Sequence, residues 1–176
     1  HTYVSNSYYS IIEWLRESID NDIEAGHLIV DVGCGKGRAI SGFHYYFNRR
    51  RQRSVELIGI EYEQEVAAIT QQRFADIPGI EIISGDATAF LPPNAKFIFM
   101  FNPFSDPVLL EAFIANFIQT HKDAERPAKL LYYCPRMIDQ FRQHGQLDLH
   151  VITQPNLVRW KINDLYRTAA IISLRT

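Results

Sequence analysis

The chain has 176 residues, 47% of them hydrophobic, and a formal net charge of −2. That is the length of one compact domain, too apolar for a disordered segment and too near neutral for a domain whose main work is gripping nucleic-acid phosphates. No apolar stretch approaches the roughly 20 residues that span a membrane, and no signal peptide is visible.

Read in chain order, Ser7 to Leu15 places Ile11, Ile12, Leu15 and Ile19 on one face of a helix, with Gly26 in the break before the first strand. The opening His1-Thr2 has no initiator Met and reads as the start of a trimmed or tagged chain. The first strand runs from His27 to Asp31. A glycine loop and a helix from Ala39 to Asn48 follow, closed by the cations Arg49-Arg50-Arg51-Gln52-Arg53, which suit a helix C-terminus. Ser54 to Glu61 alternates as a strand. Glu63 to Ala75 reads as a helix with Val66, Ala67, Ala68 and Ile69 inward. Pro78-Gly79 turns the chain into the strand Ile80 to Ser84, and Pro92-Pro93-Asn94 into the strand Ala95 to Phe101. That last run is wholly apolar apart from Lys96, as in a strand buried on both faces.

Pro107 to Thr120 is helical, Pro107 suiting the first turn. Leu130 to Cys134 is a strand stopped by Pro135, and Met137 to His144 is a short helix closed by Gly145. Leu147 to Thr153 and Thr168 to Leu174 supply two more strands, while Pro155 to Tyr166 shows no period. Strands and helices alternate from His27 to Gly145, which predicts an α/β fold with a parallel sheet covered on both faces. The last two strands have no helix between them and should pair antiparallel. Cys34 and Cys134 form no disulfide framework and no metal-ligand spacing, which fits a reducing, cytoplasmic setting.

The most informative run is His27-Leu-Ile-Val-Asp31-Val32-Gly33-Cys34-Gly35-Lys36-Gly37-Arg38. A strand ends in an acid and three alternating glycines open a helix, a unit that lets a ligand touch bare backbone. It is not a dinucleotide fingerprint: the sixth position is Arg38 counted from Gly33 and Ile40 counted from Gly35, neither small. It is not a phosphate-binding P-loop either, because Gly37 rather than Ser or Thr follows Lys36. A nucleotide-dependent oxidoreductase is thereby disfavoured. Ligands of open α/β sheets bind outside the carboxyl ends of the strands, where Asp31, Glu61, Asp86 and Asn102 all lie. There Glu61 is able to accept two hydrogen bonds from vicinal ribose hydroxyls.

The D-x-G-x-G-x-G loop resembles motif I of the class I S-adenosylmethionine-dependent methyltransferases, the small bacterial type among them. The likeness runs from about residue 27 to residue 134. It implies a three-layer sandwich with a mostly parallel seven-stranded sheet and one antiparallel strand near the edge. It also implies a single domain over residues 1–176, with a helical segment at 1–26 and the core at 27–176. The cofactor implied is S-adenosylmethionine. Gly33, Cys34, Gly35 and Gly37 would wrap its methionine end, with Asp31 orienting the loop near the ammonium group. Glu61 would take the ribose, with Tyr62 beside it, and Asp86 the adenine amino group, with the Ala87 N–H on a ring nitrogen.

Phe101-Asn102-Pro103-Phe104 resembles the [DN]-P-P-[YFW] signature of amino-group methyltransferases, with one proline fewer and Phe104 one position early. Asn-x-Phe here is also similar to Dot1-like lysine methyltransferases. By that resemblance Asn102 and Phe104 are the catalytic candidates, and Asn102 also borders the cofactor. Tyr3, Asn6 and Tyr8 are candidates to fold over the cofactor, and Trp160 and Tyr166 to line the substrate side. The methyl acceptor is unidentified: a nitrogen of a protein side chain, a base or a small molecule. A cofactor-binding module or subunit without catalysis is the alternative. No membrane partner is indicated, the net charge gives no sign of nucleic acid, and nothing specifies an oligomeric state.

Overall fold

The computed structural model describes residues 19–153 and 168–175. Seven strands, β1 (Leu28–Val32), β2 (Glu56–Glu61), β3 (Ile80–Ser84), β4 (Ala95–Met100), β5 (Lys129–Tyr133), β6 (Leu147–Thr153) and β7 (Thr168–Leu174), form one sheet in the order β3-β2-β1-β4-β5-β7-β6. β7 runs antiparallel to both of its neighbours, β5 and β6, and every other neighbouring pair is parallel. This is the expected fold class: a mostly parallel sheet with one reversed strand next to its edge. The α-helices among the described residues are α1 (Arg38–Phe43), α2 (Gln64–Phe74), α3 (Pro107–His121) and α4 (Ile138–Arg142).

Alternation along the strands divides the core in two. Ile29, Leu57, Phe97, Phe99 and Leu131 pack on one face against Ile40, Phe43 and Phe47. Val30, Ile60, Ile98, Met100 and Leu130 pack on the other against Phe113, Ile114 and Phe117. Both faces of the central strands β1, β4 and β5 are dry, so their successive residues are mostly apolar whichever way they point. Strand order reverses at β1, which has β2 on one side and β4 on the other. The loops after β1 and β4 therefore leave toward opposite faces, and a crevice opens between them.

Several local expectations needed correction. The helix after the glycine loop starts at Arg38, and at His44 its ladder widens into a π-helical segment that runs to Arg50. The Asn48 side chain then pairs with the backbone of Val55 as a strand would, donating to its carbonyl at 3.0 Å and accepting from its N–H at 2.8 Å. The basic cluster is more than a helix end. Arg51 and Arg53 both bond the buried carboxylate of Asp20, and Arg53 Nη1 also donates to the Ile23 carbonyl at 2.9 Å. On α2 the buried stripe is Ala67, Thr70 and Phe74, and Ile69 is 51% exposed. Ile69 and Ala68 fall outside that i, i+3, i+7 stripe, so they face solvent. The helix expected over residues 7–15, the aromatic candidates Tyr3, Tyr8, Trp160 and Tyr166, and Asn6 lie outside the described residues. No helix among the described residues is long and apolar enough to cross a membrane.

Candidate functional site

The three loop glycines have three different reasons to be glycine. All have positive φ, +70° at Gly33, +51° at Gly35 and +74° at Gly37. A Cβ on Gly33 would stand 2.5 Å from Pro103 Cβ, and one on Gly37 would stand 2.3 Å from the Phe74 ring. Those two are glycines because other parts of the protein press on them. A Cβ on Gly35 meets nothing within 4 Å. Of the three, Gly35 alone keeps a bare α-carbon facing open space, the arrangement a ligand needs to reach backbone.

Cys34 is buried against Gly59 of β2, where a Cβ would stand 2.7 Å from its sulfur. Burial first, and then the Asp31 and Glu61 carboxylates, push its thiol far up, so it is a small neutral space-filler and no nucleophile.

Two carboxylates converge behind the loop. β1 extends one residue further than the sequence suggests, through Val32, which leaves Asp31 inside the strand and 3% exposed. Asp31 is paired in register with Gly59 of β2, and its carboxyl has no hydrogen-bond partner among the described residues. Burial, and secondly the neighbouring Glu61 carboxylate, raise its pKa to about 7. Glu61 ends β2 and is half-buried. Its Oε2 accepts from the Gly35 N–H at 2.7 Å and its Oε1 from the Glu63 N–H at 3.0 Å. Each oxygen keeps a lone pair for a further donor.

Past β3, Asp86 Oδ1 accepts from the Thr88 N–H at 2.8 Å, the turn-capping arrangement. Its second oxygen has no partner among the described residues. Tyr62, beside Glu61, is 71% exposed.

Asn102 follows β4 in a left-handed conformation, φ 47°, and its side chain turns toward β5. Its Nδ2 donates to the Cys134 carbonyl at 2.7 Å. Its Oδ1 accepts from the Tyr132 hydroxyl at 2.8 Å and from the Arg136 N–H at 3.3 Å. Both lone pairs of that carbonyl are in use. Phe104 leans on Phe113 of α3, ring centroids 5.2 Å apart.

A cleft of about 350 Å³ lies at this end of the sheet. Of the expected site residues it gathers Gly33, Glu61, Tyr62, Asp86, Ala87 and Phe104 on its walls. Asp31, Cys34, Gly35, Gly37 and Asn102 are not among the residues that line it. Val32, Ile60, Gly85, Thr88, Pro103 and Leu109 complete the lining. Val32, Ile60 and Leu109 escape sequence reading because an apolar wall residue looks like core, whereas Gly85, Thr88 and Pro103 adjoin residues that the motifs single out.

No family model matches the chain, and no curated protein matches it either. Solved structures do. A S-adenosylmethionine-dependent methyltransferase from Clostridium acetobutylicum superposes with a TM-score of 0.66 over 98% of this chain and 94% of its own, at 10% identity. The fold is that of the class I methyltransferases. A TehB-like methyltransferase from Corynebacterium glutamicum gives a TM-score of 0.63 over 97% of this chain and 90% of its own, at 16% identity. A mutant of MtNAS gives 0.64 at 13% identity; this chain is 96% covered but spans only 61% of MtNAS. At these identities the likeness is one of fold, and the chemistry rests on the residues of the cleft.

Proposed function

We propose that this cleft binds S-adenosylmethionine and that the domain transfers its methyl group to an acceptor. The observation that carries the reading is one arrangement: the bare face of Gly35, the Glu61 and Asp86 carboxylates with lone pairs unused among the described residues, and the buried Asp31 carboxyl, all at one end of one sheet. These groups fit the cofactor's parts. Glu61 has lone pairs to spare for two ribose hydroxyls. Asp86 has a free oxygen for an adenine amino group, with Ala87 next to it and the Tyr62 ring at the edge. Asp31 offers a buried negative charge to an ammonium group, which would relieve its own desolvation. Among the fold neighbours, the MtNAS mutant has been solved in complex with S-adenosylmethionine. A cytoplasmic setting belongs to the same proposal.

When bound, the sulfonium supplies a methyl group already activated for in-line displacement. What the chain adds is placement, which is able to account for roughly 7–11 kcal/mol of a barrier in the best-aligned cases. Pro103 and Phe104 line the same cleft and would hold the acceptor there. Asn102 serves that wall: with its amide bonded to the end of β5, it fixes the turn that carries Pro103 and Phe104.

The reading is tested with methyl-labelled S-adenosylmethionine and a panel of protein, nucleic-acid and small-molecule acceptors. Wild type should label at least one class. Asn102→Ala and Phe104→Ala should lower that transfer at least tenfold while cofactor affinity changes little, because alignment of the acceptor matters in the transition state. Transfer lost only in proportion to cofactor affinity would place the acceptor elsewhere. Tight binding with no transfer to any acceptor would favour the non-catalytic cofactor-binding module.

A further inference from the structure

Thr70 is an unexpected residue for its place. It lies in the middle of α2, fully buried, although threonine is a poor helix former. A buried helical threonine ordinarily satisfies its hydroxyl on a carbonyl of the preceding turn. Here Oγ1 leaves the helix and donates to the Gly35 carbonyl, 2.8 Å away and 35 positions distant in sequence. Nearly a turn further on, Arg73 Nη1 donates to the Lys36 carbonyl, and the Phe74 ring closes against Gly37. Positions 70, 73 and 74 share one helix face, so a single stripe of α2 carries the glycine loop.

The consequence is a loop whose shape is fixed from within the protein. The Cys34 carbonyl accepts from the Gly37 N–H at 2.8 Å, and the Gly37 carbonyl accepts from both the N–H and the hydroxyl of Ser41, each at 3.0 Å. With Thr70 and Arg73 added, every carbonyl from Cys34 to Gly37 is bonded within the protein. Gly35 is gripped at both its peptide groups, by the Glu61 carboxylate on its N–H and by the Thr70 hydroxyl on its carbonyl. It is held in a left-handed conformation with its α-carbon bare. The N–H groups of Gly33 and Cys34 donate to the Ile60 carbonyl, so the loop is tied on its donor side as well, and what it offers a ligand is a fixed shape with the Gly35 α-carbon bare.

We propose that Thr70, seconded by Arg73, is a positioning residue of the cofactor site, tying the glycine loop to α2 so that its shape is set before the ligand arrives. The proposal rests on the cofactor reading above. A preset loop spares the ligand the cost of ordering it, so loss of the tie should appear as weaker binding.

The test is calorimetric titration with S-adenosylhomocysteine of wild type, Thr70→Val, Thr70→Ser and Arg73→Met, at a temperature where circular dichroism shows each fully folded. Thr70→Val keeps the shape and removes the donor, and should weaken binding about tenfold, the scale of one hydrogen bond. Thr70→Ser restores the hydroxyl and should return within about twofold of wild type, as a packing role would not. Arg73→Met, on the exposed side of the stripe, should weaken binding about threefold, and it decides the matter if Thr70→Val does not fold. Valine and methionine variants that bind like wild type, or a serine variant as poor as valine, would overturn the positioning role alone. A wild type silent toward S-adenosylhomocysteine would overturn the cofactor reading itself.

Discussion

Gly37→Ala should destabilise the domain by roughly 3 kcal/mol, whereas Gly35→Ala should cost only about 1 kcal/mol and fall instead on ligand binding. Both residues have positive φ, so both substitutions carry the strain of a left-handed alanine. The surroundings separate them. At Gly37 the new methyl would stand 2.3 Å and 2.9 Å from atoms of the Phe74 ring and 3.1 Å from Thr70 Cγ2, so the α1–α2 contact must part. At Gly35 the methyl enters space that no protein atom occupies. Urea unfolding of the two variants, paired with cofactor titration, reads both quantities. Equal loss of stability at the two positions would contradict this division of roles.

Asp31→Asn should leave stability unchanged near pH 4 and raise it by about 4 kcal/mol at pH 8. The carboxyl of Asp31 has its pKa raised to about 7, by burial first and by Glu61 second, from the 3.8 of an unfolded aspartate. Between those values the folded chain holds a proton that the unfolded chain has lost. Stability therefore falls as pH rises from about 4 to about 7, and above that the native state carries a buried charge in full. Asparagine has the same shape and no charge, so the gap between variant and wild type should open across that window. Unfolding free energies at pH 4.5, 6 and 8 measure it. A gap that does not change with pH would mean that Asp31 is solvated or paired.

The sheet was legible because its central strands are apolar runs buried on both faces and several strands start or stop at a glycine or a proline. Leu147 to Thr153, Thr168 to Leu174 and Ile80 to Ser84 fall where the sequence places them. The glycine loop was legible for a similar reason: its pattern is local. What could not be read is how distant residues share it. Glu61 reaches Gly35 across 26 positions, Thr70 reaches it across 35, and Asn102 reaches Cys134 across 32. Such hydrogen bonds leave no periodic trace. For the same reason Gly33, Gly35 and Gly37 look alike as letters, although Pro103, open space and Phe74 face them in turn. The motif at Phe101 to Phe104 suggests an asparagine aimed at an acceptor; the carbonyl of Asn102 is already taken by Tyr132 and Arg136.

The account stands most directly on whether the Gly35–Glu61–Asp86 arrangement holds S-adenosylmethionine. Calorimetric titration of wild type and Glu61→Ala with S-adenosylhomocysteine tests it. Wild type should bind one equivalent, and ligand at about 100 times its dissociation constant should add about 2.7 kcal/mol of stability. Glu61→Ala should bind more weakly by roughly 1.5–3 kcal/mol, the value of hydrogen bonds to a charged acceptor. Folded wild-type protein that gives neither heat nor stabilisation with millimolar ligand would contradict the account, and a Glu61→Ala variant with undiminished affinity would contradict its placement of the ribose.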